Sequence, residues 1–302
     1  MHQRTSKSAL ACVIDHNASA AVRLKTSGSS GYTLSACKTW RYGAHHLKSG
    51  KASGLLEKMS RWCSTWREEE LVLCVGTETL LPLPVTLPID ATPDEIREYC
   101  RMEAEYFVSQ PNTFCCDRAP YANKYASEYA GEHDSTTTLL LFYPAQPCSQ
   151  IADHFAANHR LLFAGTTHRA LIHLSTLMAE PLVMLELGEQ SVTFMVARNG
   201  AIEWLSSHQV KTQDEAEYFT MKELMEHPIC RQTTVYVTGS RADKAILALI
   251  DGDKAFSITP LCLPSTLSTL SISNPQQFAL ASPVVVKAIS AALMGLEGEN
   301  AG

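Results

Sequence analysis

Residues 182–207 read LVMLELGEQSVTFMVARNGAIEWLSS, and this stretch decides the fold class. Its apolar and β-branched runs predict strands at 182–187, 191–197 and 201–207, because such side chains fit a pleated, half-buried surface. Gly188-Glu189-Gln190 separates the first pair and Asn199-Gly200 the second. Asn-Gly supplies the two positive-φ residues of a tight hairpin turn. Three strands therefore meander. A helix is expected at about 213–226, a strand at Thr233 to Thr238, then Gly239 and a helix at about 241–251.

The same order occurs earlier in the chain. Residues 9–14, 19–25 and 31–40 read as three strands, turned at Asp15-His16-Asn17 and at Ser27 to Gly31. Leu55, Leu56, Met59, Trp62, Cys63 and Trp66 recur at three- and four-residue spacing, which predicts a helix over about 53–67. Leu71 to Val75 is wholly apolar, as a strand buried on both faces must be. A repeat of this length carries more weight than any single element. Three meandering strands followed by parallel strands with crossover helices form a ribonuclease-H-like unit. Two such units give the α/β, two-lobed architecture of actin, Hsp70 and the sugar kinases. The expected division is 1–180 plus 283–302 as lobe I and 181–282 as lobe II.

Lobe I is expected to carry an inserted α/β subdomain at about 78–145. Its first strand, Leu80 to Leu87, contains Pro82 and Pro84 and runs into Pro88. Proline cannot donate to a sheet ladder, so this strand belongs at an edge. Thr92, Pro93 and Glu95 form a capping box that opens a helix, with Ile96, Tyr99, Met102, Tyr106 and Phe107 as its expected apolar face. Strands near 113–119 and at Thr136 to Tyr143 follow, separated by a polar loop at 121–135.

Composition removes several classes of function. The chain has 302 residues, 45% hydrophobic and 19% charged, as expected of a globular protein of about two domains. With 31 acidic and 25 basic side chains the net charge is −6, so no general basic field exists for nucleic acid or anionic lipid. Ten cysteines occur without a CxxC spacing and lie mostly in apolar runs, which fits reduced thiols in a cytoplasmic protein. The apolar run Ala9 to Ile14 is too short for a signal peptide, and the uncharged stretch 255–286 is interrupted by Pro260, Pro264, Pro275 and Pro283. No direct membrane insertion is expected. Histidine spacings give no HExxH pair, and no GxSxG, P-loop or GxGxxG signature occurs.

In order along the chain, several short motifs resemble the PilM group of actin-like proteins, which includes the cytoplasmic part of GspL-type secretion proteins. Val13 to Ser19 is similar to the group's D-x-G-x-x-S turn. Leu-Pro-Val-Thr-Leu-Pro at 83–88, Glu103-Ala104-Glu105 and Asp117 resemble its inserted subdomain. Leu185 to Ser191 is similar to its L-D-L-G-x-x-x-T, Val237 to Ser240 to an adenosine-contacting glycine motif, and Ser282 to Leu296 to its closing helix. The resemblance implies ATP with Mg²⁺ at Asp15, Asn17, Ser19, Glu186, Gly188, Gln190, Gly239 and Ser240, with Asp15 and Glu186 reaching the metal through water. It also implies a partner site using Leu83, Val85, Tyr99 and Tyr106.

This sequence departs from that pattern where chemistry would occur. His16 replaces glycine in the first turn, which hinders close backbone approach. Glu186 replaces aspartate in the second, and one glycine stands where the adenosine motif usually has two. Asp15 equally suits an Asx-type turn, and Glu186 a solvated strand end. The resulting expectation has no catalytic residues, and its cofactor is either ATP/Mg or none. The chain would be an actin-like platform of a type IV pilus or related secretion system. It would sit at the inner face of the bacterial inner membrane, holding the short cytoplasmic tail of a single-span partner, with a homodimer left open. The alternative is an ATP-dependent sugar or metabolite kinase, or a phosphatase, of the same superfamily.

Overall fold

The computed structural model describes residues 7–27, 31–48, 54–66, 70–88, 91–108, 110, 113–122, 135–242, 255–263, 271–272 and 282–297. The helix expected at 241–251, the centre of the 121–135 loop and the tail beyond Glu297 lie outside these residues. The chain divides into two compact units.

Unit 1 comprises residues 1–76, 147–179 and 261–301. Its strands are β1 (Ser8–Ile14), β2 (Ser19–Ser27), β3 (Gly31–Trp40), β4 (Leu71–Val75), β8 (Leu161–Thr166) and β14 (Ser271–Ile272). They form one sheet in the order β14-β3-β2-β1-β4-β8. β1, β2 and β3 are antiparallel neighbours, whereas β4 is parallel to β1, and β8 to β4. The helices are α1 (Ala44–Lys48), α2 (Leu55–Cys63), α4 (Ala145–Ala156, starting at the unit boundary), α5 (Thr167–Leu174) and α7 (Pro283–Glu297). α7 packs on β1, β2 and α5 and is buried almost all round, with Val285, Val286, Ile289 and Leu293 fully inside. A helix apolar on every face can only be a core element. Each such side chain contributes about 1.5–3 kcal/mol on burial.

Unit 2 comprises residues 77–146 and 180–260. Its larger sheet holds β9 (Leu182–Leu187), β10 (Ser191–Arg198), β11 (Ala201–Gln209), β12 (Thr234–Thr238) and β13 (Ser257–Pro260), in the order β11-β10-β9-β12-β13. Antiparallel pairs join β9, β10 and β11, and parallel pairs join β9 to β12 and β12 to β13. This is the order β3-β2-β1-β4-β8 over again, so the repeat read from the sequence is present. Asn199 at φ 51° and Gly200 at φ 78° close the β10–β11 hairpin as the Asn-Gly pair requires. α6 (Gln213–Glu226) begins at Thr212, whose hydroxyl accepts the Glu215 N–H at 3.2 Å.

The insert forms a separate three-stranded sheet in the order β5-β7-β6: β5 (Leu81–Pro88), β7 (Ser135–Pro144) and β6 (Phe114–Pro120). The proline-bearing β5 lies at an edge, as expected. The capping box of α3 (Pro93–Phe107) is complete: Thr92 N–H reaches Glu95 Oε2 at 2.8 Å and Thr92 Oγ1 accepts from Glu95 N.

Three expectations are corrected. The insert belongs to unit 2 rather than to the first lobe: Tyr121 bridges Ile202 in parallel, and Ala122 N–H donates to the Ile202 carbonyl at 2.8 Å. These bonds occupy the edge strand β11, which would otherwise expose unpaired backbone groups. Residues 261–263 and 271–272 already belong to unit 1, well before 283, as the parallel pairing of β14 with β3 shows. Finally, α3 turns Ile96, Tyr99, Cys100 and Ala104 onto the insert's core, leaving Met102, Tyr106 and Phe107 exposed.

Candidate functional site

Asp15 follows β1 in unit 1, where a turn is closed by Asp15 N–H on the Ala18 carbonyl at 2.9 Å. α1 docks its first turn on this loop, with Ala44 N–H on the Asp15 carbonyl at 2.9 Å and His45 N–H on the His16 carbonyl at 3.1 Å. Gly43 makes that approach possible: a Cβ there would lie 2.1 Å from the Asp15 carbonyl oxygen. Gly76, just beyond β4, is equally confined, since its Cβ would meet Asp15 Oδ1 at 2.4 Å.

Both carboxylate oxygens of Asp15 are engaged. Oδ1 accepts the His16 N–H at 3.0 Å, and Oδ2 accepts from Lys287 Nζ at 2.7 Å. Lys287 belongs to α7 and is fully buried, whereas the Asp15 side chain retains 15% exposure. A buried ammonium without an anion is prohibitively costly, so this pair stands or falls together. Sequence reasoning missed Lys287. The signal was available in PVVVKAISAALMGL, residues 283–296, where one cation sits in an apolar helix.

The other residues expected in the first turn lie as follows. Asn17 is exposed at the tip. Ser19 is fully buried, and its hydroxyl donates to the Tyr42 carbonyl at 2.7 Å. His16 lies beside His45 with ring centroids 5.2 Å apart.

The matching turn of unit 2 joins β9 to β10. Glu186, 9% exposed, sits on β9 opposite Thr193 of β10 and Thr238 of β12. Gly188 N–H donates to the Ser191 carbonyl at 2.8 Å, and Gln190, exposed, accepts Val210 N–H at its carbonyl. The Glu189 N–H is taken by Glu78 Oε1 at 2.9 Å, and Gln209 Nε2 fixes the Glu78 carbonyl at 2.9 Å. Glu78, which lies just before β5, was also missed from sequence.

Gly239 ends β12 at φ 106°, and a Cβ there would lie 2.2 Å from the Leu187 carbonyl oxygen. Arg241 N–H donates to that carbonyl at 2.9 Å, while its guanidinium Nε stays 3.9 Å from Glu189. Around this bend the buried atoms Thr238 Oγ1, Ser240 Oγ and Arg241 Nη1 have no hydrogen-bond partner among the described residues.

The two sites answer a fit test for Mg-nucleotide differently. Mg²⁺ needs oxygen ligands at about 2.0–2.1 Å in octahedral array. Each Asp15 oxygen already accepts one hydrogen bond, and Lys287 places a positive charge beside them, so the first turn is a poor fit for a directly coordinated Mg²⁺. Among the described residues no cluster of three or more histidine, cysteine or carboxylate groups could hold one. At the 238–241 bend the shielded Thr238, Ser240 and Arg241 atoms form a polar cluster beside the second turn.

The residues expected at a partner site all belong to the insert. Val85 is buried in its core, Leu83 and Tyr99 are half-buried against that core, and Tyr106 is 86% exposed. No helix among the described residues is long and apolar enough to cross a membrane.

No protein-family model and no curated protein matches the chain. Solved structures do. The PilM–PilN type IV pilus biogenesis complex includes a chain with TM-score 0.65 and 14% identity, covering 95% of this chain and 98% of that one. A protein from Bacteroides thetaiotaomicron with an actin-like ATPase fold and unknown function matches at TM-score 0.51 and 10% identity, over 94% and 95%. The cytoplasmic domain of EpsL, an inner-membrane component of the Vibrio cholerae type II secretion system, gives TM-score 0.46 at 7% identity, over 94% and 95%. With the duplicated strand order, the first two of these matches establish the fold: an actin-like α/β protein, similar to PilM in architecture, built from two ribonuclease-H-like units and an inserted subdomain.

Proposed function

We propose that this chain is a non-catalytic, actin-like platform component of a type IV pilus or related secretion system. It holds the cytoplasmic tail of an inner-membrane partner and is peripheral to that membrane through the partner. The platform half of this reading is supported by nearly end-to-end likeness to a chain from an assembly with PilN. The non-catalytic half rests on one observation, the buried Asp15–Lys287 pair. An ATP-dependent kinase or phosphatase needs an available carboxylate at the transferring phosphate, and this one is committed to an internal ammonium. The unpaired hydroxyls of Thr238 and Ser240, beside the Arg241 guanidinium, leave room for nucleotide binding without turnover.

Two measurements test the halves separately. Titration with the N-terminal tails of inner-membrane pilus and secretion proteins should give saturable binding to one of them; failure of all overturns the platform. Turnover of Mg-ATP above about 1 per second, the lower end of ordinary enzymes, would overturn the non-catalytic assignment.

A further inference from the structure

Among the described residues two pairs of cysteines bring their thiols into contact, and the difference between the pairs points to chemistry. In unit 1, Cys12 Sγ of β1 lies 3.2 Å from Cys63 Sγ at the end of α2. Both side chains are fully buried, and burial, with Cys63 beside it, pushes the Cys12 thiol well above its ordinary 9.0. The thiolate is the nucleophile, and a sealed thiol meets no oxidant, so proximity alone leaves this pair inert.

The second pair lies in the insert. α3 lays Cys100 on the insert's core, in the row Ile96, Cys100 and Ala104 at four-residue spacing. From β6, Phe114 and Cys116 pack against the same core. Successive residues of a strand point to opposite faces, so Cys116 shares its face with Phe114 and Arg118, whereas Cys115 lies on the other face with buried Asp117. The Cys100 and Cys116 thiols hydrogen-bond to each other across this seam between helix and sheet. Both residues are half-buried, so solvent reaches them.

The surroundings favour ionisation at one of the two sulfurs. The Cys116 hydrogen bond, with the Arg118 charge adding to it, outweighs burial and Glu103 and holds the Cys100 thiol below its ordinary 9.0. The same bond, together with burial, pushes the Cys116 thiol up. Burial also raises Cys37, Cys115 and Cys230. One member of the pair is thus fitted to attack, and the other to keep its proton until it is needed.

We propose that Cys100 and Cys116 are a reversible redox site for a peroxide, Cys100 being the sulfur oxidised first and Cys116 the one that closes a disulfide between α3 and β6. The Cys100 sulfur attacks hydrogen peroxide: an S–O bond forms, the O–O bond breaks, and hydroxide leaves, taking up the proton that Cys100 had released. The Cys116 thiol then gives up its proton and attacks the Cys100 sulfur. The S–S bond forms, the S–O bond breaks, and the second oxygen leaves as water. Two thiols and one peroxide become one disulfide and two waters, with two electrons passing from sulfur to oxygen. A dithiol reverses the closure by exchange.

Mapping the ten thiols tests this. The full chain is reduced, treated with hydrogen peroxide, blocked with N-ethylmaleimide in urea and mapped by mass spectrometry without reduction. Two thiols should be lost to alkylation, in a peptide pair that joins Cys100 to the Cys115-Cys116 segment, and dithiothreitol should restore both. Cys115→Ser should keep the cross-link. Cys116→Ser should abolish it and leave Cys100 as a sulfenic acid that dimedone traps. Cys12 and Cys63 should stay alkylatable throughout. The proposal is overturned by a map without the Cys100 cross-link, by a cross-link that survives Cys116→Ser, or by equal oxidation of Cys12 and Cys63. Cys100 carried to its sulfinic acid with no disulfide formed would overturn it as well.

Discussion

The two units share one strand order, yet the turn after the first strand is completed differently in each. In unit 1 the Asp15 carboxylate is neutralised by Lys287, 272 residues further along the chain and fully buried. In unit 2 the backbone takes the lead: a glutamate from outside the sheet, Glu78, accepts the Glu189 N–H, and the bond is exposed. One turn has acquired an internal cation and the other an internal anion. A metal and a phosphate are ligands of those same charges. The contrast in burial makes the first substitution a fold determinant and the second a surface contact, and this difference can be measured.

The largest effect is expected at the buried pair. Lys287→Met leaves Asp15 beside an apolar helix without its counter-ion, and losing one member of a buried pair costs about 3–5 kcal/mol. Asp15→Asn should cost a similar amount by stranding the ammonium. The double variant should lose clearly less than the sum, because neither charge is then left alone. Thermal or urea unfolding of the four proteins reads this cycle. Additive losses would show that the two side chains do not depend on each other, and the closed first turn would have to be abandoned.

A smaller effect is expected in unit 2. Glu78→Ala removes one exposed acceptor, for about 0.5–1.5 kcal/mol of stability. It also frees the Glu189 N–H beside the donors of Thr238, Ser240 and Arg241. Inorganic phosphate or ATP, followed by calorimetry, should therefore bind the variant more tightly than the parent chain. Unchanged or weaker binding would mean that Glu78 does not stand in for an anion there.

The difference between the turns also marks what a sequence can and cannot reveal. Local chemistry was readable: Asn199-Gly200 closes a hairpin, Thr92 and Glu95 cap α3, and the prolines of β5 put it at an edge. The repeat needed only strand order, which hydrophobic runs carry. What escaped was long-range. Nothing near Asp15 announces Lys287, and nothing near Glu78 announces Glu189, because such partners are set by how elements pack. The insert's place in unit 2 depends on backbone bonds from Tyr121 and Ala122 to Ile202, which have no side-chain signature. On α3 the large residues suggested the wrong face. The row Ile96, Cys100, Ala104 is smaller and lets the helix lie close to its three-stranded sheet, so Met102, Tyr106 and Phe107 are left outside.

The smallest effect concerns the other end of the helix that carries Lys287. Glu297 closes α7, where Oε2 lies 3.1 Å from His173 Nε2 and Oε1 accepts from Tyr32 OH at 2.8 Å. The His173 hydrogen bond, with help from Tyr32, holds the Glu297 carboxyl below its ordinary 4.5. Burial, with the Glu297 contact added, pushes Tyr32 up to about 12. The signs follow by linkage. A depressed carboxyl contributes stability that is complete above its unfolded value and is lost as pH falls through the lower folded value. A raised phenol contributes stability that is complete below about 10, its ordinary value, and is lost as pH rises toward about 12. Tyr32→Phe should therefore flatten the alkaline limb of a stability–pH curve and raise the folded pKa of Glu297 slightly. Glu297→Gln should flatten the acid limb as well. The Asp15–Lys287 end should not respond to either change, since α7 separates the two pairs by ten residues, about 15 Å at 1.5 Å per residue. An alkaline limb identical in Tyr32→Phe and the parent chain would remove Tyr32 from the account and leave the closing helix anchored at Lys287.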